Sequence, residues 1–208
     1  MRVDGVLCDL DGVLVDSTAA VLRTWRRFAE RHELDWELVN RTIHGRPARK
    51  SVELLVPGAD ADAEAALIAT WELADLDDVH ALPGARELRE LVPEQSFAIV
   101  TSCDEPLARA RLKAAGIAPP PALVTVELVS AGKPDPECYL TGARLLGLPP
   151  QRCLAIEDAP LGLEAARAAG AKTVALTTTH VPDELEADLV VGTIEDLLSS
   201  DGLLPRAA

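Results

Sequence analysis

Apolar residues along this chain follow two rhythms, and the rhythm changes twice. The run Val6-Leu7-Cys8 is short and apolar; it leads into Asp9-Leu10-Asp11-Gly12 and then a second apolar triplet, Val13-Leu14-Val15. A run of this kind predicts a buried parallel strand. From Ser17 the spacing becomes helical. Val21, Leu22, Trp25, Phe28 and Ala29 recur at helical intervals, with Asp16, Ser17 or Thr18 placed to cap the helix. A short helix is predicted over 36–43, ending near Gly45. Another is opened by Pro47, carries Val52, Leu55 and Val56 on its apolar side and stops at Pro57-Gly58. Asp60 caps a fourth, with Leu67, Trp71 and Ala74 at its apolar positions. No strand-like run falls between residues 17 and 80, so the segment reads as a small all-helical unit.

From Leu82 strands and helices alternate. Strands are predicted over 97–101, 122–126, 153–156, 173–176 and 189–191. Helices are predicted from Pro83-Gly84 to about Val92, and over 107–115, 136–146 and 161–169; the last three are ended by Gly116, Gly147 and Gly170. Such alternation implies a parallel sheet with helices on both faces. The expected fold class is therefore α/β. A doubly wound, Rossmann-like core spans residues 1–15 and 82–208, and an all-helical cap spanning residues 16–81 is inserted after the first strand.

Composition narrows the function. With 208 residues, 48% hydrophobic and 26% charged, the chain has material for a real core. A net charge of −14 argues against a general nucleic-acid binder, and 3% aromatic residues leave little for stacking platforms. Cys8, Cys103, Cys138 and Cys153 form no Cys-x-x-Cys pair and have no zinc-like histidine spacing. No signal peptide precedes Asp4, and no apolar run is long enough to span a membrane. The expectation is a soluble, reduced, cytoplasmic protein with no nucleic-acid or membrane partner. Oligomeric state is not readable, and a monomer is compatible with the sequence.

The chemistry lies in where polar residues fall relative to strands. Asp9 and Asp11 follow the first, Thr101 and Ser102 the second, Lys133 a third, and Glu157 and Asp158 a fourth. In a parallel sheet these ends share one edge, so the seven residues converge. Four carboxylates with one lysine repel one another unless a cation joins them. Oxygen ligands favour magnesium. Lys133 is one of only four lysines among twenty basic residues, which makes its place in Gly132-Lys133-Pro134 notable.

In this order the motifs resemble those of the haloacid-dehalogenase-like hydrolases, over essentially the whole chain. Asp9-Leu10-Asp11-Gly12-Val13-Leu14-Val15-Asp16-Ser17 is similar to the first motif of that family. Thr101-Ser102 resembles the second, Lys133 in Gly132-Lys133-Pro134-Asp135-Pro136 the third, and Glu157-Asp158 followed by Gly162 the fourth. The helical segment resembles the small cap of the subgroup holding sugar and polyol phosphatases, phosphoglycolate phosphatases and β-phosphoglucomutases. The resemblance implies that Asp9 is the nucleophile and forms an aspartyl-phosphate. Asp11 is then the acid and base, and Lys133 neutralises Asp9 and the phosphoryl group. Thr101 and Ser102 bind phosphate, the latter through its backbone N–H. Magnesium falls to Asp9, Asp158, Glu157 and the carbonyl of Asp11.

The resemblance further implies that the cap sets specificity. His44-Gly45-Arg46-Pro47-Ala48-Arg49 is similar to the cap loop of sugar and polyol phosphatases, so His44, Arg46 and Arg49 are candidates for substrate contact. The expected substrate is a small phosphorylated sugar or polyol, of glycerol, deoxyhexose or hexitol type. A mutase and a phosphoglycolate phosphatase are the alternatives. The mutases of this subgroup carry a histidine twelve residues after the nucleophile, where this chain has Val21. His180, in the loop after Leu176, reads as a surface residue.

Overall fold

The protein is described from a computed structural model covering residues 3–199 and 204–205; the remaining ends of the expected core lie outside the described residues. The strands are β1 (Gly5–Cys8), β2 (Val15–Asp16), β3 (His80–Ala81), β4 (Phe97–Val100), β5 (Ala122–Val124), β6 (Cys153–Glu157), β7 (Lys172–Leu176) and β8 (Leu189–Val191). Six of them form a sheet in the order β5-β4-β1-β6-β7-β8, every pairing parallel. The chain builds outward from β1 to β4 and β5, then crosses back to lay β6, β7 and β8 on the other side. That reversal opens a crevice at the carboxyl ends of β4, β1 and β6, the place where open α/β sheets take ligands.

The helices are α1 (Thr18–Arg31), α2 (Trp36–Ile43), α3 (Ala48–Leu55), α4 (Ala61–Leu73), α5 (Ala85–Leu91), α6 (Glu105–Ala114), α7 (Glu137–Leu145), α8 (Pro160–Ala168) and α9 (Ile194–Leu198). Strands β1, β4 and β6 are buried at every position, which is why their sequences are apolar without alternation. Successive side chains still go to opposite faces. Leu7, Ala98, Val100 and Ala155 pack with Tyr139, Ala143, Ala165 and Ala166 of α7 and α8. Val6, Cys8, Ile99 and Ile156 pack with Leu88 of α5, Ala108 and Leu112 of α6 and Leu197 of α9.

Helices α1 to α4 have a core of their own, built on Trp25, Phe28, Val39, Ile43, Val52, Leu55 and Ile68. Trp25 and Phe28 meet edge to face, 5.2 Å between centroids. Burying a side chain such as Phe28 contributes roughly 2–3 kcal/mol. Asp60 caps α4 as the sequence predicts, accepting from the Ala63 N–H, and Asp35 caps α2 by accepting from the Leu38 N–H. Ser17 precedes α1, but its hydroxyl does not cap the helix and turns to Asp11 instead.

Two features depart from the sequence expectation. The helical unit enters and leaves through an antiparallel pair, β2 with β3, in register Val15↔Ala81 and Asp16↔His80. Two-residue strands carry no periodicity, so hydrophobic pattern cannot reveal them. The short α9 was not expected either. Its Thr193–Asp196 capping box was the available signal.

Candidate active site

Strand order sets the site. Asp9 leaves β1 and Thr101 leaves β4 on one side of it, while Glu157 ends β6 on the other. Lys133 comes from the loop between β5 and α7. All four are buried, as is Asp158. The Lys133 Nζ lies 3.0 Å from Asp9 Oδ2 and 2.6 Å from Glu157 Oε1, and donates to the Val100 carbonyl at 3.3 Å. Asp9 Oδ1 accepts from the Leu10 N–H at 2.7 Å, which fixes the carboxylate. Tyr139 on α7 donates its hydroxyl to Glu157 Oε1 at 2.5 Å.

Electrostatics follow from this packing. Burial pushes the Asp9 carboxyl well above the usual carboxylate range, with Glu157 adding and Lys133 opposing. Asp158 is pushed up to about 7, first by burial and then by Glu157, with a hydrogen bond from Thr179 opposing. Burial works against the charge on Lys133, but Asp9 and Glu157 outweigh it and hold the ammonium above its ordinary range.

The donor set fits a divalent cation. Asp9, Glu157 and Asp158 each offer a carboxylate oxygen, and these atoms all lie within 4.8 Å of one another. Hard oxygen donors with excess negative charge match magnesium. Two glycines let the carboxylates crowd. A Cβ on Gly12, whose φ is +76°, would stand 2.0 Å from Asp158 Oδ2, and one on Gly162 would stand 1.9 Å from Glu157 Oε1. Thr179 donates to Asp158 Oδ2 at 2.5 Å, and Thr178 to the Gly12 carbonyl at 2.5 Å.

Asp11 stands apart from that cluster. It is only half-buried, and both of its oxygens are occupied. Oδ1 accepts from the Ser17 hydroxyl at 2.6 Å; Oδ2 lies 2.9 Å from Arg111 Nη1 and 3.1 Å from Cys103 Sγ. Sequence reasoning missed Arg111 and Glu72 altogether, and it considered Cys103 only for its thiol and not as a partner of Asp11. The signal was present: Arg111 falls on the stripe of α6 otherwise formed by buried Leu107, Ala108 and Leu112. Glu72 likewise follows Ile68 by one turn on the buried side of α4.

The remaining expected residues separate. Thr101 Oγ1 accepts from the Cys103 N–H at 3.1 Å and lines the cavity floor. Ser102 sends its hydroxyl to the Gly45 carbonyl at 3.3 Å, tying core to cap. Arg46 is half-buried, with Nη1 2.5 Å from the Thr42 carbonyl. Arg49 is exposed and ion-paired to Glu53 and Asp62, each at 2.6 Å. His44 meets His180 edge to face, centroids 5.7 Å apart, and burial lowers its pKa with His180 assisting. His180 is therefore not the free surface residue the sequence suggested. It is half-buried between the cap and the Asp158 loop, with Nδ1 3.1 Å from the Asp158 carbonyl.

Core and cap enclose a cavity of about 980 Å³. Asp9, Asp11, Thr101 and Lys133 line its floor, and Val21, Trp25, Ile43, Arg46 and Ile68 its cap side. Among the described residues no helix is long and apolar enough to cross a membrane.

Comparison with known proteins agrees with this geometry. A family model described as haloacid dehalogenase-like hydrolase matches residues 3–170. Hexitol phosphatase A of Escherichia coli (strain K12) is 43% identical over 203 residues, covering 95% of this chain and 94% of the relative. Validoxylamine A 7'-phosphate phosphatase of Streptomyces hygroscopicus subsp. limoneus is 34% identical over 194 residues, covering 89% and 91%. Among solved structures, a hydrolase from Pseudomonas syringae superposes with a TM-score of 0.86 at 27% identity, covering 94% of this chain and 96% of that one.

Proposed function

Since the chain belongs to the haloacid dehalogenase-like hydrolases and is a phosphoric monoester hydrolase, we propose that it is a magnesium-dependent phosphatase of small sugar or polyol phosphates. The observation that carries this reading is the division of labour between two neighbouring carboxylates. Asp9 is buried against Lys133 and the acidic cluster, while Asp11 faces the cavity in separate contacts. A nucleophile needs the first setting, and an acid–base residue needs the second.

In the proposed reaction Asp9 attacks phosphorus, and the bond from phosphorus to the ester oxygen breaks. Asp11 gives its proton to the departing alkoxide. Asp11 then takes a proton from water, whose oxygen attacks the aspartyl-phosphate and frees inorganic phosphate and Asp9. Lys133 neutralises Asp9 while negative charge gathers on the phosphoryl oxygens. The Thr101 hydroxyl and the Ser102 N–H hold those oxygens. Magnesium, held by Asp9, Glu157, Asp158 and the Asp11 carbonyl, would supply charge neutralisation at the phosphoryl group.

Substrate class rests on the cavity and on the relatives. About 980 Å³ accommodates a polyol or sugar phosphate, and phosphoglycolate would leave much of it unfilled. The relatives at 43% and 34% identity carry the names of a hexitol phosphatase and a validoxylamine A 7'-phosphate phosphatase. Val21 lines the cavity where the mutases of this subgroup carry a histidine, which favours hydrolysis over return of the phosphoryl group.

The test is phosphate release with magnesium from hexitol, deoxyhexose and glycerol phosphates, phosphoglycolate and β-glucose 1-phosphate. Hexitol and sugar phosphates are expected to lead. Asp9→Asn is expected to remove turnover with the fold intact by circular dichroism. Activity retained by Asp9→Asn would overturn the assignment, and glucose 6-phosphate formed from β-glucose 1-phosphate with a bisphosphate primer would restore the mutase reading.

A further inference from the structure

Arg111 is a buried guanidinium on a helix whose other inward residues are apolar. Its Nη1 lies 2.9 Å from Asp11 Oδ2 and 3.0 Å from Cys103 Sγ, and that thiol in turn lies 3.1 Å from the same Asp11 oxygen. Its Nη2 lies 3.4 Å from Glu72 Oε2, which belongs to cap helix α4. Neither Nη2 nor Nε makes a hydrogen bond of good geometry. Buried donors left short of partners cost free energy, so packing alone does not explain an arginine here.

We propose that Arg111 is the positioning residue for Asp11, braced from the cap by Glu72. The inference rests on the acid–base reading of Asp11 given above. With Ser17 on one oxygen and Arg111 and Cys103 on the other, the Asp11 carboxylate is held at both ends, and Oδ1 keeps a lone pair toward the cavity. Ser17 reaches Asp11 from the point where the cap begins and Cys103 from the core, so neither links Asp11 to helix α4 of the cap. The guanidinium does. Its planar fork puts one nitrogen on Asp11 and another toward Glu72, so the seating of α4 against α6 sets how the arginine is shared. Substrate that draws the cap down thereby acts on the acid–base group, although Arg111 itself need not touch the substrate.

The experiment uses simple esters that lack hydroxyls for the cap to read: p-nitrophenyl, phenyl and ethyl phosphate, with magnesium. kcat/KM reports the steps through departure of the leaving group, and the need for a proton rises with the basicity of that group. Arg111→Met is expected to lose about tenfold or less on p-nitrophenyl phosphate and about a hundredfold or more on ethyl phosphate, within the range of general acid catalysis. Arg111→Lys keeps a cation beside Asp11 and is expected to recover most of the ethyl phosphate loss. Glu72→Ala is expected to steepen the dependence in the same direction by a smaller factor.

Asp11→Asn is the control for the underlying reading. It must itself lose more on ethyl than on p-nitrophenyl phosphate; an even loss would remove the acid role and the inference with it. A steep Asp11→Asn with an even loss for Arg111→Met would leave the acid role standing and overturn the positioning role. A loss confined to polyol phosphates, with the simple esters unchanged, would make Arg111 a substrate-reading residue and equally overturn it. If Arg111→Met fails to fold, Arg111→Lys and Glu72→Ala carry the comparison, and wild-type leaving-group dependence in Glu72→Ala overturns the brace.

Discussion

Gly162 lies so close to Glu157 that a Cβ at that position would stand 1.9 Å from Oε1 and 2.1 Å from Cδ. Glu157 has little room to yield, because Lys133 and Tyr139 hold its carboxylate at 2.6 and 2.5 Å. This contact reverses an ordinary expectation. Alanine in place of a helical glycine normally stabilises by about 1 kcal/mol. Here Gly162→Ala is expected to destabilise by about 1–3 kcal/mol through overpacking. It is also expected to lower magnesium-dependent activity at least tenfold by displacing Glu157. Urea titration and phosphate-release kinetics check the two effects, and a variant as stable and active as wild type would remove the crowding argument.

Three buried carboxylates share one lysine, so a cation that binds only the folded state should stabilise it. At a hundredfold excess over Kd the gain is about 2.7 kcal/mol, roughly a 5–10 °C rise in melting temperature for a chain of this size. Magnesium is expected to raise the transition and EDTA to reverse it, with activity lost in parallel. Asp158→Asn removes one of the three clustered carboxylates and is expected to flatten the shift. A melting temperature and an activity both indifferent to EDTA would sink the metal assignment.

How much of this was legible can be judged residue by residue. Asp9, Glu157 and Asp158 each follow an apolar run, Lys133 stands between Gly132 and Pro134 in the loop after another, and a parallel sheet gathers strand ends on one edge. Order in the sequence was therefore enough to predict their meeting. Arg111 and Glu72 were hidden because each stands one helical turn from an apolar neighbour on a buried stripe, where a charge looks like a break in the pattern. Their partnership depends on how the cap seats on the core, which no local rhythm encodes. His180 was misread for a similar reason: its neighbour His44 arrives from the far side of the cap junction.

Glu72 should give stability a pH dependence of known sign. Its carboxyl is raised to about 7 by burial, with Arg111 opposing and Asp11 and Asp104 adding repulsion. The folded state thus holds this proton more tightly than the unfolded chain, whose glutamate titrates near the ordinary 4.5. The stabilisation is complete below that value and is lost as pH rises through about 7, by something of order 3 kcal/mol. Glu72→Gln cannot ionise, so the wild type is expected to lose stability relative to it between pH 5 and 8. Urea midpoints in EDTA read the difference, in which the other raised carboxylates cancel. Parallel curves for the two proteins would contradict the shift.

The two cap arginines, equal candidates in sequence, are not equal in space. Arg46 is half-buried on the cavity wall, with one nitrogen on the Thr42 carbonyl and the rest of its fork available. Arg49 is exposed, and its guanidinium is engaged by Glu53 and Asp62 on neighbouring turns of the cap. A guanidinium holding a substrate hydroxyl or phosphate through charge-assisted hydrogen bonds accounts for roughly 10- to 100-fold in affinity. Exposed ion pairs of the Arg49 kind contribute little. Arg46→Ala is therefore expected to raise KM for hexitol phosphate about 10- to 100-fold while changing kcat/KM for p-nitrophenyl phosphate by about threefold or less. Arg49→Ala is expected to leave both within about threefold. Because the cap core of Trp25, Phe28 and Ile68 involves neither arginine, both variants should melt close to wild type, and any kinetic difference then reports on recognition. Equal losses in the two variants would show that the cap moves far enough on closing to bring Arg49 inward. A larger loss in Arg49→Ala would transfer the recognition role to it.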